Sequence, residues 1–385
     1  MTSLPAGFTA RTANFGIKDD SLDFVVILGR PETVGASLFT QSRFAGASVV
    51  LSRELIAGGR TRGVIVLSKN SNVATGVEGM RNAREIVSSV AERLGCRNDA
   101  FVIASTGVIG RQYPMDKIRA GVARVADLTE SVDAGLVARA IMTTDTVPKL
   151  AEATIAGSSA RIVGVAKGVG MIEPNMATHI SLVFTDAALS RAELEVAYRR
   201  CVDRTFNRVS IDTDTSTSDT TVCLASGAAG AVNDSAFEDA LYDVLLSLTK
   251  QIARDGEGAE KLIEVRVDGA RNVEQAVTVA RAIVNSPLVK TAVHGADPNW
   301  GRVAMAVGKC SQYSDIDQER VVIRFGAQEV YPQQVDAAGL AQLSSYMKGA
   351  DVLIHVSLGT GTSDATVWGC DLTDGYIRIN ADYTT

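Results

Sequence analysis

Hydrophobic positions along the 385-residue chain follow two periods. Short β-branched or apolar runs of strand length recur at residues 24–28, 37–40, 64–67, 101–104, 161–166, 180–184, 209–211 and 262–267. Turn-like or polar stretches such as Gly29-Arg30-Pro31 and residues 68–72 bound them. Between them lie stretches with helical spacing. The clearest covers residues 77–94, with Ile86, Val87, Val90 and Leu94 on one face. Others cover 115–125, 136–141, 191–205, 234–254, 272–284, 303–308 and 333–347. Asp234 and Asp297 read as N-caps, the latter followed by Pro298 near the first turn. The tail, residues 376–385, reads as a strand running to the last residue, and so as a terminus that is tied down.

This alternation predicts an α/β chain with mixed strands. The length calls for more than one core. A boundary near residue 285 would separate a catalytic α/β domain, 1–285, from a smaller C-terminal lobe, 286–385, whose tail returns to the active site. An apolar fraction of 46% and a charged fraction of 21% are ordinary for a globular chain. A net charge of −6 with no basic cluster argues against nucleic-acid partners. The apolar runs are too short to span a bilayer, and residues 1–7 carry no basic-then-apolar leader, so a cytoplasmic protein without membrane partners is expected. Cys96, Cys201, Cys223, Cys310 and Cys370 are far apart and odd in number, which predicts buried free thiols. His179, His294 and His355 show no helical metal spacing, so neither a zinc site nor a Ser-His-Asp triad is indicated.

Candidate chemistry concentrates in a few stretches. In Lys167-Gly-Val-Gly-Met-Ile-Glu-Pro-Asn-Met-Ala-Thr178-His179 a glycine-rich turn delivers a hydroxyl residue to the mouth of an apolar strand. Attack of the Thr178 hydroxyl on the Ala177 carbonyl would break the chain and leave a threonine whose own α-amine can act as base. A plain glycine-rich loop before a buried strand explains the same spacing. Ser105-Thr106-Gly107 after the 101–104 strand offers an oxyanion site, or a simple turn. Met142-Thr143-Thr144-Asp145 before Pro148 reads as a capped helix end or turn. Residues 212–221 fail the calcium-loop pattern and read as a solvated or cleft-lining loop. Glu257, between Gly256 and Gly258, is either an exposed loop residue or a group held close to a ligand.

Taken together and in order, Ser105-Thr-Gly-Val-Ile-Gly, Met142-Thr-Thr-Asp, the Lys167-to-Thr178 motif, Asp255-Gly-Glu-Gly-Ala, Asp297-Pro-Asn-Trp-Gly-Arg and the terminal 380–385 segment resemble the ornithine acetyltransferases, also called glutamate N-acetyltransferases, over residues 8–385. Within that family, residues 39–53 and Val293-His294-Gly295 are most similar to the paralogue of clavulanic-acid-type biosynthetic clusters. The resemblance implies stacked mixed sheets flanked by helices, an αββα-like arrangement with N-terminal-nucleophile chemistry, and a smaller C-terminal lobe. It implies self-cleavage between Ala177 and Thr178, with Thr178 as the acetyl-carrying nucleophile and Thr106 and Gly107 as the oxyanion hole. Thr143, Lys167, Thr178, Glu257, Asn380 and Thr385 match the family's substrate contacts. It also implies N2-acetylornithine and glutamate as substrates, no cofactor, and an α2β2 assembly of cleaved chains. His179 departs from the family's usual Met or Leu and reads as a tolerated packing change. A related amidase or aminopeptidase using water, a variant that also accepts acetyl-CoA, and an uncleaved binding protein are the competing readings.

Overall fold

A computed structural model describes residues 2–173 and 179–382. Three mixed sheets organise the chain. The first has four strands in the order Phe8–Ala13, Phe24–Gly29, Gly63–Leu67, Phe101–Ser105. The second has five, in the order Val34–Phe39, Thr220–Ala231, Ile180–Ala188, Arg161–Lys167, Lys149–Thr154. The third runs Gln328–Tyr331, Val322–Phe325, Asp351–Ser357, Leu262–Ala270, Ser363–Cys370. Each sheet contains one parallel pair among antiparallel neighbours.

The first two sheets stack face to face, and strand alternation decides which residues fill the space between them. Val25 and Ile27 of Phe24–Gly29 point into the inter-sheet core with Val165, Leu182 and Phe184, while Phe24 and Val26 point outward. Each such side chain contributes on the order of 1.5–3 kcal/mol by leaving water. The outward face of the first sheet is covered by helices Gly76–Arg93 and Met115–Val122. The apolar face read from the sequence of the first of these, Ile86, Val87 and Val90, is buried as its spacing requires. Helices Arg191–Arg204 and Asp234–Arg254 cover the outward face of the second sheet. This is the helix–sheet–sheet–helix arrangement expected. The third sheet packs its own helices, Val273–Val284, Pro287–His294, Trp300–Gly308 and Ala337–Met347, around a core drawn from residues 263–367. The position near residue 285 falls at the C-cap of Val273–Val284, inside that stretch. All five cysteines are free, four of them buried.

Some local expectations give way. The cap of the long helix is Asn233, whose side chain accepts from the Ala236 amide at 3.1 Å, and Asp234 is the first helical residue. Likewise Asn299, not Asp297, caps Trp300–Gly308 by accepting from the Arg302 amide at 3.3 Å, and Asp297 takes a hydrogen bond from the Asn299 side chain. The tail is a helix, Asp374–Asp382, instead of a strand. Ile377, Ile379 and Ala381 alternate with Arg378, Asn380 and Asp382 as a strand would, but the Asp374–Arg378 ion pair at 2.7 Å and the Asn380 bond to the Tyr376 carbonyl at 3.0 Å are both i,i+4 contacts. Strand Thr220–Ala231 carries β-favouring residues only from Thr220 to Leu224 and continues into Ala- and Gly-rich sequence. It is held by pairing on both sides, antiparallel to Val34–Phe39 and parallel to Ile180–Ala188.

Candidate active site

The strand ends of the two stacked sheets bring the candidate residues together. Thr106 follows directly on Phe101–Ser105, and its amide is used by the Leu67 carbonyl at 3.1 Å, so its hydroxyl is what it offers a ligand. Gly107 sits at φ +132, and a Cβ there would lie 2.2 Å from the Lys69 backbone, so the turn admits no side chain. Behind it, the Ser105 hydroxyl is fixed between Ser48, at 2.6 Å, and the Tyr113 hydroxyl, whose pKa burial pushes up to about 12.

Lys167 is the last residue of Arg161–Lys167, on the neighbouring sheet, and its Nζ donates to Thr106 Oγ1 at 3.2 Å. That leaves the threonine hydrogen free to point into the cavity. Lys167 is partly buried. Burial lowers its pKa below the ordinary lysine value, and Lys149 adds to that, while Asp145, Asp219 and Glu257 oppose them. Glu257, in the loop after Asp234–Arg254, donates its amide to the Val169 carbonyl at 2.8 Å. Its carboxylate receives the Asn380 side-chain amide at 2.9 Å, from the C-terminal helix. Gly258 lies at φ +71, and a Cβ there would meet the Tyr376 backbone nitrogen at 2.3 Å, so glycine is what lets that helix approach the loop.

Thr106, Gly107, Thr143, Lys167, Glu257 and Asn380 thus line one open cavity of about 230 Å³. Ala177, Thr178 and Thr385, the expected cleavage pair, nucleophile and terminal contact, lie outside the described residues. His179, where description resumes, is buried edge-on against Phe206, with ring centroids 4.2 Å apart and planes at 69°. Neither ring nitrogen has a hydrogen-bond partner among the described residues. Burial, with the Lys167 and Lys149 charges, pushes its pKa down to about 3, so the ring is neutral at cellular pH. The following strand pairs from Ile180↔Thr220 onward, and the Thr220 amide donates to the His179 carbonyl at 3.1 Å. Next to that pair, Asp219 is fully enclosed, and burial raises its pKa well above the carboxylate range against the pull of Ser216 and Lys167.

Other wall residues come from stretches the sequence marks without singling them out. Ile109 and Met171 supply apolar surface, and Ser216, Thr217 and Ser218 come from the polar loop read as cleft-lining. That loop is tied to the glycine-rich turn by Asp212, which accepts the Met171 and Ile172 amides at 2.7 and 2.8 Å. Among the described residues the one group with metal-ligand proximity is Glu260, His294 and Asp371, outside the cavity lining. There His294 Nδ1 lies 3.1 Å from Asp371 Oδ2, which an ordinary hydrogen bond explains. No helix among the described residues is long and apolar enough to cross a membrane.

The profile of the ArgJ family matches residues 9–385. An arginine biosynthesis bifunctional protein ArgJ 2 from a Nostoc species is 53% identical over 100% of this chain and 99% of its own. A glutamate N-acetyltransferase Oat2 from Streptomyces clavuligerus is 54% identical over 99% of this chain and 98% of its own. The crystal structure of an ArgJ protein from Bacillus halodurans, 43% identical, superposes with a TM-score of 0.50 over 52% of this chain and 98% of that one. The chain belongs to the ArgJ family of ornithine acetyltransferases, enzymes of arginine biosynthesis.

Proposed function

We propose that the chain cleaves itself between Ala177 and Thr178 and then moves an acetyl group from N2-acetyl-L-ornithine to L-glutamate through an acetyl-Thr178 intermediate. The observation that carries this reading is the meeting of Thr106, Gly107, Thr143, Lys167, Glu257 and Asn380, drawn from five separate segments, around one cavity at the strand ends. Cleavage there divides the chain near its middle. The Bacillus halodurans chain, matched over 98% of itself, accounts for 52% of this one, which supports such a division.

The free α-amine of Thr178 would titrate near 7.7–8.0 in the absence of neighbours. A cationic Lys167 favours its neutral form, which takes the proton of the threonine hydroxyl as that oxygen attacks the acetyl carbonyl. The Thr106 hydroxyl, already accepting from Lys167, and the Gly107 amide donate to the tetrahedral oxyanion. Such a donor is worth about 3–4 kcal/mol in other acyl-transfer enzymes. The Thr178 ammonium returns its proton to the departing ornithine amine. Glutamate then enters, its amine attacks the acetyl ester, and Thr178 is regenerated. Glu257 pairs with the cationic end of the substrate, while Asn380 holds that carboxylate from the tail side. The cleaved chains stay together, as an α2β2 assembly acting in the cytoplasm.

Supplying N2-acetylornithine with and without glutamate tests the reading. Acetylglutamate formation with parallel double-reciprocal lines supports it. Release of acetate alone, the mark of an amidase that uses water, overturns it, and so does formation of no product at all.

A further inference from the structure

Three walls of the cavity meet at a side-chain cluster that none of the roles above uses. Asp145 Oδ1 accepts from Lys149 Nζ at 2.7 Å and from the Gly168 amide at 2.7 Å, and Oδ2 accepts from the Thr143 amide at 3.1 Å. Lys149 Nζ also donates to Asp255 Oδ2 at 2.5 Å, and Asp255 in turn takes the Thr146 amide at 3.2 Å and the Thr146 hydroxyl. The Lys149 and Asp145 side chains are wholly closed to solvent, and Asp255 is 8% exposed. Thr143 and Thr144 begin the loop after helix Ala134–Ile141, Gly168 follows Lys167, and Asp255 precedes Glu257 by two residues. One buried triad therefore joins the three loops that carry Thr143, Lys167 and Glu257.

We propose that Asp145 is the positioning residue of this cavity: its carboxylate fixes the Thr143 and Gly168 backbones, reaches the Glu257 loop through Lys149 and Asp255, and places its charge at the backbone next to Lys167. A buried ion pair is a poor source of stability, because desolvating both ions offsets their attraction. What this one supplies is placement, with each of the two carboxylates, Asp145 and Asp255, bonded to a loop amide as well as to the Lys149 charge. Burial works to raise the Asp145 pKa, yet Lys167, Lys149 and the Gly168 amide outweigh it and hold the group ionised. The charged and titratable groups facing Lys167 are Asp145, Lys149, Asp219, Glu257 and His179, with the Thr106 hydroxyl as hydrogen-bond partner. Burial raises the Asp219 pKa well above its ordinary value, and burial with the neighbouring lysine charges lowers that of His179 to about 3. Asp145 is the strongest of the groups that favour the Lys167 charge, and Lys149 the strongest charge against it.

The role of Asp145 in transfer rests on the acetyl-transfer reading, whereas its hold on Lys167 is measured without it. Trace labelling of the full chain with an amine-reactive reagent across pH, read by peptide mass spectrometry, gives the Lys167 titration midpoint directly. Asp145→Asn lowers that midpoint and Lys149→Met raises it. The double variant removes both ions of the fully sealed pair and leaves Asp255, 8% exposed, still bonded to the Thr146 amide and hydroxyl, so it keeps the test available if Asp145→Asn fails to fold, and its midpoint falls because Asp145 outweighs Lys149. Loosening of the loops alone would admit water and raise the midpoint in every variant. In Asp145→Asn, kcat/KM for acetyl transfer drops about 100-fold, as displacement of reacting groups by about an ångström does, with its pH profile displaced in the same direction as the labelling midpoint. An unmoved or raised midpoint in the variants lacking Asp145 overturns the proposal. If the unaltered protein transfers no acetyl group, the functional reading fails while the labelling still decides what Asp145 does to Lys167.

Discussion

Asn380 Nδ2 donates to Glu257 Oε2 across 2.9 Å, latching the C-terminal helix to the loop that ends the helix Asp234–Arg254. The glutamate is thereby held with one oxygen engaged from the tail, and the Thr144 hydroxyl approaches its other oxygen at 3.5 Å. Glu257→Gln preserves the shape and removes the charge. A hydrogen bond to a charged group is worth about 1.5–3 kcal/mol, so KM for the ornithine-type donor rises about 10- to 100-fold with a smaller change in kcat. Asn380→Ala raises it less, because the carboxylate remains. Steady-state kinetics checks both, and an unchanged KM in Glu257→Gln would remove the residue from substrate binding.

The Thr106–Gly107 turn makes separable demands. Thr106→Val keeps the volume and loses the hydroxyl, so kcat falls about 100- to 1000-fold, while Thr106→Ser retains most of the rate. Gly107→Ala places a Cβ 2.2 Å from the Lys69 backbone at φ +132, and strain with overpacking costs about 3 kcal/mol or more. Thermal unfolding separates the cases: Thr106→Val melts near the parent, whereas Gly107→Ala melts well below it.

His179 gives stability a pH dependence whose sign is fixed. Its pKa is about 3 in the folded chain and about 6.5 when unfolded. Above pH 6.5 both states are neutral. Below it the unfolded chain takes up the proton first, so stability falls between about 6.5 and 3, by about 2 kcal/mol at pH 5. His179→Met removes that slope. It also removes two buried nitrogens that have no partner among the described residues, adding on the order of 1 kcal/mol at pH 7. Urea unfolding of both proteins at pH 7 and pH 5 reads the difference, and equal losses on acidification would contradict it.

Much of the site is legible in the sequence because it is written in local motifs. Gly107 and Gly258 are needed for backbone approach, and the residues beside them, Thr106 and Glu257, inherit their place from those turns. The layering follows from alternation such as Phe24, Val25, Val26, Ile27, with successive side chains in different cores. What local pattern does not carry is tertiary. Thr220–Ala231 stays extended past Leu224, where its composition turns to Ala and Gly, because Ile180–Ala188 pairs with it as far as Ala231. Lys149 resembles any lysine after a proline, and only the fold seals it between Asp145 and Asp255. The tail misleads because Ile377, Ile379 and Ala381 fit a period of two as well as an exposed helix.

Self-cleavage that exposes a threonine nucleophile is the centre of the account. Intact-mass measurement and N-terminal sequencing of the purified protein, before and after incubation with N2-acetylornithine, test it most directly. The account predicts chains of residues 1–177 and 178–385, a new N-terminus at Thr178, and one acetyl group gained by the second chain alone. It also predicts a single uncleaved, unacetylated chain for Thr178→Ala. A wild-type protein that transfers acetyl groups as one intact chain, or a Thr178→Ala protein that is still cleaved and active, would contradict it.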